Sequence, residues 1–192
     1  NQLHQQAGQC TACADSCPVN AIELAPTPQF DPNACLACDV CAAVCPDGAL
    51  LGQRSPIKIW HEVRQFAPEN TAVLVCRAVE AGQFAAIRIP CIGGLAPEFY
   101  ISLTLTGINE FIIHTAECET CPLSKSLAQA QAAIDEACRF LNRLGYNLDV
   151  KQHFGTPSTD NTDSLPPLSM SRRGFFNLFT NPVDTATRDD LM

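Results

Sequence analysis

The placement of cysteine constrains this chain more than any other feature. Twelve of its 192 residues are cysteine. Seven of them lie within residues 1–53, at Cys10, Cys13, Cys17, Cys35, Cys38, Cys41 and Cys45. They form an internal repeat. Cys10-x2-Cys13-x3-Cys17-Pro18-Val19-Asn20-Ala21-Ile22 returns 28 residues later as Cys38-x2-Cys41-x3-Cys45-Pro46-Asp47-Gly48-Ala49-Leu50. The second copy has a further cysteine upstream, Cys35, which completes Cys-x2-Cys-x2-Cys-x3-Cys-Pro. Seven thiols cannot pair off without a remainder, and spacings of two and three residues suit a metal cluster better than a disulfide scaffold. The expected setting is a reducing one, the cytoplasm.

The spacing has a physical basis. Three cysteines on a tight loop reach three irons of one cubane, while the proline breaks the loop and turns the fourth thiolate away. A zinc ribbon favours paired Cys-x2-Cys knuckles with a long spacer, not four cysteines in eleven residues closed by proline. Residues 5–53 resemble the bacterial-type 2[4Fe–4S] ferredoxin domain, an α+β fold. The resemblance implies one [4Fe–4S] cluster on Cys35, Cys38, Cys41 and Cys17, and a second on Cys10, Cys13 and Cys45. The fourth ligand of the second cluster belongs at position 7, which is Ala7. Three outcomes stay open there: a [3Fe–4S] cluster, a cubane with a non-cysteine ligand from among His4, Gln5, Gln6 and Gln9, or an empty site.

Composition removes several function classes. Acidic residues outnumber basic ones 20 to 12, for a net charge of −8, and residues 1–53 hold no Lys or Arg. A general nucleic-acid binder shows the opposite balance. Hydrophobic content is 46% and mean hydropathy is +0.03, so a core can form and bulk disorder is excluded. No apolar run approaches the length of a transmembrane helix. The chain opens Asn1-Gln2-Leu3-His4 with no charged-then-apolar leader, and without an initiator Met native residues are expected to precede Asn1.

The second half reads as a small α/β domain with a mostly parallel sheet, over residues 71–154. Residues 54–70 are expected to form a connector that packs on one or both domains, with Trp60 as a packing residue. Apolar, β-branched runs at 71–76, 85–90 and 110–115, and a weaker one at 146–150, predict strands. A helix is expected over 97–107, with Pro97 near its start and Gly107 past its end. Another is expected over 123–144, ended by Gly145, with Leu127, Ile134, Cys138 and Leu141 as its apolar stripe. Cys138 is accordingly expected as a buried core thiol. The step from Cys76 to 85 is short for a crossover helix, which predicts a single turn or an irregular first pair.

Cys76, Cys91, Cys118 and Cys121 share an address. Each ends or follows one of the first three strands, and sites in open α/β sheets form at the carboxyl ends of strands. Four thiolates at one place suit a [2Fe–2S] cluster, a [4Fe–4S] cluster or zinc. The alternative is a redox pair, since Cys118-x2-Cys121-Pro122 is a Cys-x-x-Cys beside a βαβ pattern. The segment Ile89-Pro90-Cys91-Ile92-Gly93-Gly94-Leu95-Ala96-Pro97-Glu98-Phe99, with Cys118-x2-Cys121 after it, is similar to the delta subunit of methyl-viologen-reducing hydrogenase. That family is an α/β iron–sulfur protein with a [2Fe–2S] cluster, and it relays electrons between a hydrogenase and heterodisulfide reductase. The similarity covers residues 71–125. Two departures stand out: Cys76 is single where the family has a close pair, and Cys118 and Cys121 are more tightly spaced.

Residues 155–192 read as a flexible tail, rich in Ser, Thr, Asp and Pro over 155–170 and then carrying Ser171-Arg172-Arg173-Gly174-Phe175-Phe176. Ser-Arg-Arg-x-Phe is the wording of a twin-arginine signal, but such signals are N-terminal. A short amphipathic peptide that docks on a partner or on the protein's own surface is the expectation, with a plain tail as the alternative. No Gly-x-Gly-x-x-Gly, Walker loop, flavin fingerprint or Ser/His/Asp set is present. The function expected is therefore electron transfer through two or three clusters, as a subunit of an oxidoreductase complex without a substrate-converting site. The expected partners are hydrogenase, heterodisulfide-reductase-like or molybdenum oxidoreductase subunits. A thiol–disulfide oxidoreductase using Cys118 and Cys121, and a zinc-binding adaptor, are the alternatives.

Overall fold

The computed structural model describes residues 10–24, 28–54, 56–67, 69–79 and 86–154. The tail at 155–192, with its Arg172-Arg173 segment, lies outside them, as does position 85.

The sequence repeat is also a structural repeat. Helices α1 (Ala12–Asp15) and α2 (Val40–Ala43) stand 28 residues apart and pack on each other. A Cys-Pro turn follows each. Asn20 donates its N–H to the Cys17 carbonyl at 3.3 Å, and Gly48 donates to the Cys45 carbonyl at 3.2 Å. Both take the left-handed conformation, with φ of 52° and 60°. Asn and Gly are the residues for which that region costs least. Strands β1 (Ile22–Glu23) and β2 (Gln29–Phe30) pair antiparallel. Helices of one turn do not hold by propensity, so this half depends on packing and on whatever its thiols bind.

Residues 54–70 do more than connect. They contain α3 (Pro56–Phe66), which buries Ile59 and Val63 one turn apart. Trp60 packs half-buried on the same core, with the Arg64 guanidinium 5.9 Å from its ring centre. Arg64 Nη1 also donates to the Thr106 carbonyl, and Arg54 forms an ion pair with Glu62.

Strands β3 (Thr71–Cys76), β4 (Ile87–Ile89), β5 (Glu110–Thr115) and β6 (Asp149–Phe154) form one sheet in the order β4-β3-β5-β6. All three pairings are parallel. Helices α4 (Pro97–Leu105) and α5 (Ser126–Arg143) complete the layer and pack against each other. β3 is buried along nearly its whole length, whereas β5 alternates and β6 is largely exposed. The described part of the β3–β4 connection is a turn, closed by Val79 N–H on the Cys76 carbonyl and Arg77 N–H on the Ile89 carbonyl.

Three expectations need correction. The fourth strand is 149–154, not 146–150, because residue 146 still serves the helix. With Gly145 at φ +80°, Tyr146 donates back to the Leu141 carbonyl at 3.0 Å. Helix α5 begins at Ser126, not Leu123, because residues 122–125 are spent in turns after Cys121. Its buried stripe is Ala130, Ala133, Ile134, Ala137 and Leu141. Cys138 is consequently only half-buried at the core's edge, where burial raises its pKa.

One core runs through both halves. Cys38 and Val40 of the N-terminal half join Ile59, Val63, Leu74, Ile89, Tyr100, Phe111 and Leu141 in a single apolar cluster. Tyr100 and Phe111 meet edge to face at 5.3 Å. Among the described residues, no helix is long and apolar enough to cross a membrane.

Candidate functional site

Two groups of cysteines come together. The first comprises Cys17, Cys35, Cys38 and Cys41. Burial pushes the Cys41 thiol up to about 11, helped by Cys38, Cys17 and Cys35 close by. Cys38 is raised chiefly by burial, then by Cys91 and Cys17. Backbone amides point at these sulfurs. Ala21 N–H lies 3.2 Å from Cys17 Sγ, and Ala37 N–H lies 3.4 Å from Cys35 Sγ. The repeat carries the same contact, since Ala49 N–H lies 3.3 Å from Cys45 Sγ. Amide dipoles aimed at sulfur stabilise negative charge there, which is what a thiolate-ligated cluster requires.

Cys10, Cys13 and Cys45 are more open. Cys10 is exposed, and Cys13 and Cys45 are half-buried on or beside α1 and α2. Ala7, His4, Gln5, Gln6 and Gln9, from which the fourth ligand question arises, lie outside the described residues.

The second group lines a cavity of about 330 Å³ at the carboxyl ends of the strands. Cys76 ends β3, Cys91 follows β4, and Cys118 and Cys121 stand on the turns between β5 and α5. All four face this cavity, with Leu36 of the N-terminal half and Ser126 of α5 beside them. Cys138 is not part of its wall. Burial raises the Cys76 thiol, and Cys91, Cys118 and Cys121 add to the rise. Cys118 is raised in the same way, against a lowering contribution from the Thr115 hydroxyl. Thr115 Oγ1 is itself buried beside that sulfur. Four thiols on one wall, Cys76 and Cys91 buried and Cys118 and Cys121 half-buried, fit a group that takes thiolate ligands. Among the described residues, no three His, Cys, Asp or Glu side chains close up enough to hold a single metal ion.

The two groups adjoin. Cys38 and Cys91 are both buried and share the core. The short 3₁₀ turn Ile92–Gly94 packs on α2, and Arg77 Nη1 donates to the Ala37 carbonyl at 3.4 Å. Asp39 anchors this seam. Its φ is 64°, the residue is 7% exposed, and its carboxylate accepts from the N–H groups of Gln53 (2.8 Å) and Arg54 (3.2 Å). Gly52 lies against the same carboxylate, where a Cβ would stand 2.6 Å from Cγ.

Residues 8–49 match the family model of the 4Fe-4S dicluster domain. That region is therefore an iron–sulfur, ferredoxin-like domain with an electron-transfer role, and [4Fe–4S] clusters are its cofactor. Redox partner proteins follow from that role in general terms. The matched stretch carries all seven cysteines of the repeat and ends before α3. The chain matches no curated protein and no solved structure.

Asp39, Ser126, Thr115 and Leu36 escape a reading of sequence alone. Asp39 sits inside the cysteine run and reads there as one more surface acid. Its only signal is a glycine, Gly52, thirteen residues on. Ser126 reads as an ordinary first residue of a helix.

Proposed function

We propose that this protein is an electron-transfer subunit with two kinds of iron–sulfur site in one packed body. The observation that carries the reading is the convergence of Cys76, Cys91, Cys118 and Cys121 on one cavity beside Cys38. In this reading Cys35, Cys38, Cys41 and Cys17 hold one [4Fe–4S] cluster, and Cys10, Cys13 and Cys45 hold the second. The cavity residues hold a [2Fe–2S] cluster, in line with the similarity to the hydrogenase delta subunit. Such clusters supply one-electron exchange by tunnelling. The chain's own part is to hold the sites close, exclude water with Leu36, Ile92 and Leu123, and aim amides at the sulfurs. The domain division is 1–53, 54–70, 71–154 and a tail from 155. The donor and acceptor are subunits of hydrogenase, heterodisulfide-reductase-like or molybdenum-oxidoreductase type, and the compartment is the cytoplasm.

The thiol–disulfide alternative is the weaker one. A reactive cysteine needs a depressed pKa and often a helix N-terminus. Burial raises Cys118 instead, and the pair stands on turns ahead of α5.

Iron, sulfide and zinc per chain in anaerobically purified protein test the proposal, together with electron paramagnetic resonance of the reduced protein. The expected result is a brown protein with iron beyond the two ferredoxin-type clusters and a [2Fe–2S] signal that Cys121→Ser removes. Stoichiometric zinc in place of that iron supports the adaptor instead. A colourless protein free of sulfide overturns the electron-transfer reading altogether. In the oxidised protein a [3Fe–4S] signal is expected from the Cys10, Cys13 and Cys45 site, which has Ala7 where a fourth ligand belongs.

A further inference from the structure

The Gly93-Gly94 dipeptide, which follows Cys91 and Ile92, has no side chains because both faces are taken. A Cβ on Gly93 would stand 2.7 Å from the Cβ and carbonyl oxygen of Ser126. One on Gly94 would stand 2.5 Å from the Cys38 carbonyl oxygen. This close seating brings the start of α5 onto the Cys91 loop. Cys91 Sγ and Ser126 Oγ are 3.2 Å apart, and the two residues are 5% and 3% exposed. Ser126 Oγ also lies 2.7 Å from the Leu123 carbonyl oxygen.

Cys91, like Cys118 with its Thr115 hydroxyl, differs from most of its fellows in what serves its sulfur. Backbone N–H groups point at Cys17, Cys35, Cys45 and Cys121, the last from Leu123 at 3.4 Å. Amides of Val40, Ala42 and Ala78 serve Cys38, Cys41 and Cys76. At Cys91 the partner is a side-chain hydroxyl, and a hydroxyl has one proton to place. While Cys91 is a thiol, its S–H can donate to Ser126 Oγ and the hydroxyl can donate to Leu123. Ligation removes the thiol proton. The sulfur is then an acceptor only, carrying negative charge in a buried place, and the hydroxyl proton has a stronger acceptor beside it.

We propose that Ser126 is a positioning residue of the four-cysteine cavity, whose hydroxyl donates to the Cys91 sulfur once that sulfur is a ligated thiolate and so raises the reduction potential of the group held there. The inference rests on the iron–sulfur reading of that cavity. A hydrogen bond to a ligand sulfur draws electron density from the cluster and favours the more negative, reduced form.

Redox titration of the holoprotein, followed by electron paramagnetic resonance, tests this in Ser126→Ala and Ser126→Thr. Ser126→Ala is expected to lower the midpoint potential of the centre that Cys91→Ser abolishes, with iron per chain unchanged. The ferredoxin-type centres, read in the same titration, are expected to keep theirs. Ser126→Thr keeps a hydroxyl and is expected to hold the potential near the original value. In D2O, the exchangeable deuterons coupled to the centre in the original protein are expected to include one that is lost in Ser126→Ala, while those of the Leu123 and Ala78 amides remain. A fully loaded Ser126→Ala with unmoved potential and the same deuteron coupling overturns the inference and leaves the cluster reading standing. An equal shift of every centre also overturns it, since that is general loosening. If Cys91→Ser removes no centre, the reading of the cavity and this inference both fall.

Discussion

At the scale of single residues, Asp39 is the clearest case of structure hidden in a motif. It occupies a left-handed position, is nearly excluded from water, and ties the end of the N-terminal half to its second cysteine run through two backbone N–H groups. Removing the acceptor leaves both donors to find other partners in a half-buried place, which costs about 1–3 kcal/mol for each that stays unmade. Asp39→Ala is expected to lose about that much in chemical denaturation of the loaded protein, and Asp39→Asn, which keeps one acceptor oxygen, less. Equal stability of Asp39→Ala and the original would show the seam to be held elsewhere. Tyr100 makes the opposite case. It is fully buried between Phe99 and Phe111, and among the described residues its hydroxyl has no hydrogen-bond partner. Tyr100→Phe is expected to be neutral or to stabilise by about 1 kcal/mol in the same assay. A loss would reveal a partner for that hydroxyl. The cysteines were legible in the sequence because ligand spacing is short-range. Asp39 and Ser126 were not, because their partners are brought to them only by folding.

At the scale of elements, the reading succeeds where pattern and local chemistry agree. β3, β5 and α4 are long apolar runs or punctuated helices, and they lie where periodicity puts them. β6 was displaced because helix capping at Tyr146 outlasted the apolar signal. α3 was missed because its buried residues are few and flanking prolines suggested a connector. One element pair carries a pH prediction. His114 of β5 stands in register with His153 of β6, their rings stacked 5.4 Å apart. Burial first, and His153 second, hold the His114 pKa below its ordinary value of 6.5. A depressed folded pKa means the unfolded chain takes its proton first as pH falls. The contribution of neutral His114 is therefore complete above pH 6.5 and is lost as pH falls through that value to the lower folded one. His114→Gln is expected to flatten this part of the stability-against-pH curve. An unchanged slope in the variant would assign the dependence to other groups.

At the scale of the whole molecule, the two halves are legible as separate motifs but not as one body. Nothing in the spacing of the first seven cysteines announces that Cys38 will share a core with Cys91. The contact is made through Gly94, and its test is direct. Gly94→Val places a side chain where the Cys38 carbonyl already lies, an overpacking that costs about 1–3 kcal/mol or more. The variant is expected to unfold earlier and to lose iron from the ferredoxin-type motif, although it alters no cysteine. Intact iron content and stability would mean that the halves part without cost. The same dipeptide has an evolutionary corollary. Selection is usually thought to guard residues that do chemistry, and Gly93 and Gly94 have no side chain with which to do any. Yet every substitution at either adds atoms where the neighbouring backbone and Ser126 already are. In a library sampling all amino acids at every position, these two places should tolerate replacement as poorly as the cysteines around them, while most acids of the N-terminal half drift freely.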